Sequence, residues 1–307
     1  MKGLQFFIRC LIVITIVAVL DLACHFVMDT IRRTALQAKP DNYEMTSYYG
    51  VEMATEELLV LGPSTATHHY IPSVLEDSLR LSARNIGKDG AFLYCQICQL
   101  SLILERYIPR LVIWDISDDC LSHNLDWGDF LEIRDYWPYP LNDFSKTVLK
   151  KMGPAEQFSI HSWLYRYNSK LPEYLFAFVS GRNSLRGYVP LPANTQYATE
   201  VGTTKVEENI NPLKVELLEK ILTLCREKGC QVVIVSSPRL ADDGVPQSEQ
   251  CRKLCEITER LGVPYFNYHQ DPRFFGDLSL FRDVDHLNEN GAALFTQCII
   301  HDIQDIN

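Results

Sequence analysis

The chain has 307 residues, 47% hydrophobic and 22% charged, with 39 acidic against 29 basic side chains and a formal net charge of −10. That length and apolar content bury a sizeable core, as one large domain with additions or as two small ones. The acidic balance disfavours nucleic acid as a partner, and the sequence holds no internal repeat, low-complexity tract or long block of one charge.

The N-terminus opens with "MKGLQFFIRCLIVITIVAVLDLACHFVMDTIRR", in which Leu11 to Leu20 is uninterrupted apolar sequence. The wider stretch from Phe6 to Met28 reaches the ~20 residues that cross a bilayer, but it contains Arg9, Asp21 and His25. A carboxylate inside a span costs a few kcal/mol, less near the interface. No small-x-small cleavage site follows, because Asp21-Leu22-Ala23 has Asp where a small residue is needed. Residues 1–35 are therefore expected to form an uncleaved signal anchor, a single transmembrane helix; a cleaved signal and a buried core helix are the alternatives. Lys2 and Arg9 precede the run, which predicts the remainder facing the periplasm or cell exterior, although Arg32-Arg33 pulls the other way. Residues 36–56 are polar and mixed, and read as a stalk.

From residue 57 short apolar runs alternate with helical patterns. Leu58 to Leu61 predicts a buried strand, Leu81 to Ile86 a weaker one, and Ala91 to Arg106 a helix. "PRLVIWDIS" (109–117) predicts a fully buried strand. Leu213 to Lys228 predicts a helix ended by Gly229, and "CQVVIVSSP" (230–238) the next strand. Gln247 to Leu261 predicts a helix ended by Gly262, Val263 to Phe266 a short strand, and Asn288 the cap of a last helix to about Ile303. Continuous Val/Ile/Leu strands alternating with helices imply an α/β fold, a parallel sheet covered on both faces. Ligands of such sheets sit at the carboxyl ends of the strands.

Residues 118–210 break the alternation. They contain "DWGDF", "RDYWPYP", "SIHSWLYRYNS" and "RGYVPLP", and every tryptophan except Trp114. A loop that long has a job or its own structure. It reads as an inserted cap, helical over Asp143 to Met152 and Gln157 to Asn168. Its aromatic side chains, Trp163 and Tyr167 among them, either line a substrate pocket or form a satellite core. Of the ten cysteines, Cys225/Cys230 and Cys251/Cys255 are spaced for disulfides. Cys95-x-x-Cys98 has neither a second CxxC nor a nearby His pair, which argues against zinc.

The chemistry gathers at two distant points. In "LLVLGPSTATHHY" Ser64 follows a strand end and opens a helix, where a hydroxyl either caps the helix or serves as a nucleophile beside an oxyanion-binding helix end. In "FRDVDHLNENG" Asp283 and His286 stand three apart before a helix, so the carboxylate reaches the imidazole of its own loop.

This combination resembles the SGNH, or GDSL-type, esterase and acylhydrolase superfamily, over about residues 57–302 with the cap interrupting. "LLVLGPSTA" is similar to its first block, "RNIGKDG" to its second and "DVDHLN" to its last; the Ser-x-x-x-His-His-Tyr continuation resembles a membrane-anchored bacterial branch. The resemblance implies a flavodoxin-like three-layer α/β/α domain over 57–307 with Ser64, His286 and Asp283 as catalytic triad. It implies oxyanion donors at the Ser64 and Gly90 amides (Gly87 the alternative), no metal or cofactor, and an acylated glycan or lipid as substrate. The expected activity is ester hydrolysis; the alternatives are O-acyl transfer to an envelope polysaccharide and a non-catalytic binding domain. The sequence departs from the family at Pro63, where Asp or Ser is usual, and at the third block. There Asp119 stands nearest to the expected oxyanion-binding Asn, and an ionised carboxylate would repel the oxyanion. Asp119 and His68 are further pocket candidates, although His68 suits equally a packed helix position. Asp285 is expected to be solvated, and Asp89 to cap the helix after Gly90.

Overall fold

The computed structural model describes residues 2–117, 120–122, 133–168, 170–179, 181, 183–193, 209–241 and 248–306. Five strands form one parallel sheet: β1 (Leu58–Leu61), β2 (Ala83–Asn85), β3 (Leu111–Asp115), β4 (Gln231–Ser236) and β5 (Tyr265–Asn267), in the order β2-β1-β3-β4-β5. The register pairs Val60 with Ile113 and Ile113 with Val233. β1 and β3 are buried throughout, as their unbroken apolar sequences require between two helical layers.

Alternate side chains leave the sheet in opposite directions. Leu58, Val60, Ile113, Val233 and Val235 pack with α3 (Ser64–His69), α4 (Pro72–Leu79) and the last helix, α12 (Glu289–Ile306). Leu59, Leu61, Val112, Trp114, Val232 and Ile234 face the other layer. That layer holds α2 (Thr46–Glu52), α5 (Leu93–Arg106), α10 (Pro212–Lys228) and α11 (Glu249–Leu261). The expected α/β/α sandwich is the observed one. α10 and α11 end at Gly229 and Gly262, and Asn288 Oδ1 accepts the N–H groups of Asn290 and Gly291 at the start of α12.

The N-terminal region differs from its expected division. α1 runs unbroken from Lys2 to Ala38. Its large apolar side chains from Leu4 to Val27 are exposed, whereas Met28, Arg32, Ala35 and Leu36 are buried against the body. The buried Arg32 guanidinium pairs with Asp29 and Glu52 and lies over the Tyr139 ring. Residues 36–56 are not a solvated stalk: Met45, Tyr48, Val51 and Ala54 are buried in the core cluster that includes α5. Their spacing of three residues hides an apolar face within polar sequence.

The inserted region contributes α6 (Asp143–Met152), α7 (Pro154–Ser159), α8 (Trp163–Arg166) and α9 (Lys170–Val179). The single helix expected over 157–168 is two short ones, because the Ser162 side chain accepts from Tyr165 N–H and starts a new turn. α8 and α9 pack on α1. Residues 183–193 form a strap across the sheet end. Asn85 N–H donates to Arg186 O, Val189 N–H to Thr67 O and Glu289 N–H to Leu191 O. Gly187 has φ 92°, and a Cβ there would lie 1.8 Å from Asn85 O, so only glycine lets the strap pass so close to β2. All ten cysteines are free thiols, so neither spaced pair is a disulfide.

Candidate active site

β1 must leave the sheet and turn at once into α3 beside the end of β3. Gly62 makes that turn at φ 152°; a Cβ there would lie 2.6 Å from Asp115 O and 2.8 Å from Ala66 Cβ. Pro63 follows in the cap position, and Ser64 is the first residue of α3. The Ser64 hydroxyl is thus raised at the carboxyl end of β1, at the point where the strand order reverses between β1 and β3.

The D-x-x-H loop comes to meet it. Phe281 and Leu287 bridge, Arg282 N–H donates to His286 O at 2.7 Å, and Asn288 Nδ2 donates to Ser279 O at 2.8 Å. This closes the loop and directs His286 at α3. Ser64 Oγ lies 2.7 Å from His286 Nε2, and His286 Nδ1 lies 2.9 and 3.0 Å from the two Asp283 oxygens. Asp283 Oδ1 also accepts the backbone N–H groups of Asp285 and His286, each at 2.9 Å. With Nδ1–H given to the carboxylate, Nε2 is left as the acceptor for the Ser64 hydroxyl.

Burial works against ionised Asp283, but the hydrogen bond and charge of His286 and the two backbone donors outweigh it and hold the carboxyl at about 2. Burial likewise pulls His286 down, yet the hydrogen bond and charge of Asp283, with the charges of Asp285 and Asp89, leave it above the ordinary imidazole value.

A second, fully buried network lies beneath. Thr65 Oγ1 donates to Asp115 Oδ1 at 3.0 Å, and Ser237 Oγ donates to Asp115 Oδ2 at 2.5 Å. His69 Nδ1 lies 3.0 Å from Ser237 Oγ, and Leu287 N–H donates to His69 Nε2 at 2.9 Å. Since Leu287 N–H is a donor, the His69 proton resides on Nδ1. Burial first, then the charges of His286, His68 and Arg239, push His69 well below the ordinary value, which keeps it neutral as this pattern demands. Burial raises Asp115 to about 6 against its hydrogen bonds from Ser237 and Thr65. One carboxylate therefore ties the residue after Ser64 to the residue after His286. Asp115, Ser237 and His69 were not singled out in the sequence as site residues. For Asp115 and Ser237 the signal was available in polar residues ending the apolar runs "LVIWD" and "VVIVSS".

Ser64 and His286 open into a cavity of about 210 Å³, lined also by Phe92, Leu93, Ile116, Ser117, Arg239 and Asp285. Asp285 is not simply solvated: it forms an ion pair with Arg239 at this cavity. Gly90, at φ 74°, immediately precedes the cavity residue Ala91. Gly87 N–H is already given to Asn85 Oδ1 at 2.9 Å, so it is not a spare donor. His68 lies behind His286, ring centroids 5.6 Å apart, buried and bonded through Nδ1 to Val189 O at 2.7 Å; it is a packed residue rather than a cavity wall. Its Nε2 is 3.4 Å from Asp89, which therefore faces His68, while α5 begins after Phe92. Trp163 and Tyr167 are not in this cavity: Trp163 stacks on His25 of α1 at 3.8 Å, and Tyr167 lies buried beside it. The insertion packs on the N-terminal helix, which the sequence pattern did not couple to it. Asp119 lies outside the described residues.

No protein-family model and no curated protein matches the chain. Solved structures similar to it include the acetyl xylan esterase AlAXEase, at 9% identity and TM-score 0.41, covering 80% of this chain and 99% of that one. Another is a catalytic mutant of Axe2, an acetylxylan esterase from Geobacillus stearothermophilus, at 10% identity and TM-score 0.43, covering 81% and 94%. A third is a family two carbohydrate esterase from Clostridium thermocellum in complex with cellohexaose, at 10% identity and TM-score 0.42, covering 81% and 63%. Likenesses this distant say nothing of this chain's activity.

Proposed function

We propose that the protein is a serine ester hydrolase of SGNH type that removes an O-acyl group from a carbohydrate or lipid. In this reading α1 anchors it in a membrane and the sheet domain faces the periplasm or cell exterior. The observation that supports it best is the continuous line Ser64–His286–Asp283, opening into a cavity at the carboxyl end of the sheet.

In the proposed reaction Ser64 Oγ attacks the ester carbonyl carbon while its proton passes to His286 Nε2. Asp283 holds the imidazole tautomer and stabilises the imidazolium that forms. The developing oxyanion is met by the amides of Ser64 and Gly90. His286 then returns the proton to the departing alcohol oxygen, leaving an acyl-Ser64 ester. Water, deprotonated by His286, attacks that ester; the acyl carbon–Ser64 Oγ bond breaks, His286 returns the proton to Ser64 Oγ, and the acid is released. The cavity of about 210 Å³ is small beside the roughly 300–1,000 Å³ of sites that enclose drug-sized ligands. A short acyl group fits inside it, with the alcohol portion lying outside.

The test is labelling of the full-length protein in detergent with a fluorophosphonate, together with hydrolysis of a short-chain chromogenic ester. Wild type is expected to be labelled and active. Ser64→Ala is expected to lose labelling and to lose about 10⁴–10⁶ of the rate. Labelling without hydrolysis, with product appearing only when sugar acceptors are added, replaces hydrolysis by O-acyl transfer. A folded wild type that neither labels nor turns over overturns the enzyme reading in favour of a binding domain.

A further inference from the structure

α1 carries a carboxylate inside its apolar stretch. Asp21 stands between Leu20 and Leu22, whose side chains are exposed. Its carboxylate is nevertheless satisfied by protein. Ser162 Oγ donates to Oδ1 at 2.6 Å, Leu164 N–H to Oδ1 at 2.9 Å and Trp163 N–H to Oδ2 at 3.0 Å. These N–H groups open α8 and have no partner within that helix. One turn further along α1, His25 stacks on Trp163, and the Tyr167 ring lies 6.4 Å away. Residues 162–167 are thereby pinned to α1 at the level of Asp21 to His25.

That level can be placed against a bilayer. Lys2 to Asp21 is 19 steps along one continuous helix, about 28 Å at ~1.5 Å per residue, against a hydrocarbon core of ~30 Å. With Lys2 at one interface and Arg9 snorkelling toward it, Asp21 stands at the other. In the pinned segment Leu164 is 49% exposed, and in α7, which leads into it, Phe158 is 81% exposed; His161 between them is exposed as well. Beside them the partly exposed Trp163 and Tyr165 are aromatic types that collect at membrane interfaces.

We propose that residues 154–167 are a second membrane contact, lying in the headgroup layer around α1 with Phe158 and Leu164 reaching the acyl boundary. This rests on reading α1 as a membrane anchor. The contact fixes the height and tilt of the sheet domain above the membrane, which a single flexible stalk would not. α9 supplies an internal contrast. Val179 is 82% exposed, but Lys39 Nζ donates to Phe178 O at 2.8 Å, which sets that end of α9 at the level of residue 39. Eighteen residues above Asp21 is about 27 Å further out, beyond the headgroups, so this equally apolar surface lies clear of lipid.

The test places a benzophenone amino acid singly at Phe7, Phe158, Leu164 and Val179 in the full-length chain, in its membrane, and identifies photoadducts by mass. Each variant is first required to melt as wild type does. Lipid adducts are expected at Phe7, Phe158 and Leu164, with none at Val179. Asp21→Ala, which unpins the segment, is expected to lower the Phe158 yield several-fold and leave Phe7 unchanged. Lipid at Phe7 but not at Phe158 or Leu164 overturns the second contact while the anchor stands. No lipid at Phe7 overturns the anchor reading and the proposal with it. Protein adducts at Phe158, to a second copy or another chain, or equal lipid labelling at Val179, also overturn it.

Discussion

The carboxyl end of the sheet and the flank beside α1 both bring polar groups together from distant parts of the chain, by different means. At the sheet end Ser64, Asp115 and Ser237 each sit where a parallel strand stops, so the fold itself delivers them to one place, and the loop before α12 brings Asp283 and His286 to meet them. On the flank, Asp21, Arg32, Trp163 and Tyr167 meet only because one long helix and an insertion pack together. The first arrangement is dictated by topology, the second by side-chain complementarity. Perturbing the sheet end should change rates, and perturbing the flank should change stability or placement.

The largest effect that sharpens this contrast is expected at Asp283. Asp283→Asn keeps the shape but removes the charge and the reason for His286 to hold its proton on Nδ1, and comparable changes cost about 10⁴ in rate. The residual activity carries a second signature. In the proposed reaction His286 must be neutral to accept the serine proton, so activity is expected to fall below its pKa, which Asp283 holds above the ordinary imidazole value. Removing that carboxylate lowers the pKa. The acid limb of the kcat/KM profile should therefore move to lower pH; because the native state holds Asp283 at about 2, loss of its charge also lowers Tm modestly near neutral pH. An acid limb that moves upward, or does not move, means that His286 is not the titrating base.

A smaller effect is expected one layer down. Ser237→Ala removes the link between Asp115 and His69, and with it the support of Leu287 N–H beside His286. Misplacement of a reacting group by about 1 Å costs roughly 10²-fold, so kcat should fall by about 10–100-fold with KM little changed; Ser237→Thr, which retains the hydroxyl, should recover most of it. Equal loss in both variants, accompanied by a lower Tm, reduces this network to ordinary core packing.

The same contrast explains what could be read from sequence. β1, β3 and β4 are continuous apolar runs, and a run of four to six such residues bounded by turns declares a buried strand without help from elsewhere. The Asp283–His286 pair is local, and Gly62-Pro63 marks the exit of β1. Ser237 meets Asp115 across 122 residues, which no local pattern encodes. The core role of residues 36–56 was hidden because Met45, Tyr48, Val51 and Ala54 are interspersed with Thr46, Ser47, Tyr49, Gly50 and Glu52, and their burial is decided by packing with α5. In the insertion, aromatic composition left a substrate pocket and a satellite core both open, because composition does not say what a ring stacks on; for Trp163 the partner is His25.

Trp163 gives the prediction with the smallest effect on rate. Its ring stacks on His25 at 3.8 Å, lies 6.2 Å from the Tyr167 ring and carries the Arg166 guanidinium at 4.4 Å. Ser64, His286 and the other cavity residues are distinct from these, since the cavity walls come from the ends of β1, β3, β4 and β5, the starts of α3 and α5 and the loop before α12. Truncating a fully buried Trp costs about 3–5 kcal/mol; Trp163 is only half-buried, so Trp163→Ala should cost about 1–3 kcal/mol by the same reasoning. In detergent its Tm should fall, while kcat and KM on a small chromogenic ester and on an acylated oligosaccharide stay within about twofold of wild type, which is under 0.5 kcal/mol of transition-state stabilisation. The oligosaccharide is the decisive substrate, because a ring that only packs on α1 has no means of sensing the length of the alcohol. If KM for the oligosaccharide rises while the small ester and the Tm are unaffected, then Trp163 binds sugar after all, and the separation between a catalytic sheet end and a structural flank is broken at the residue where the two would meet.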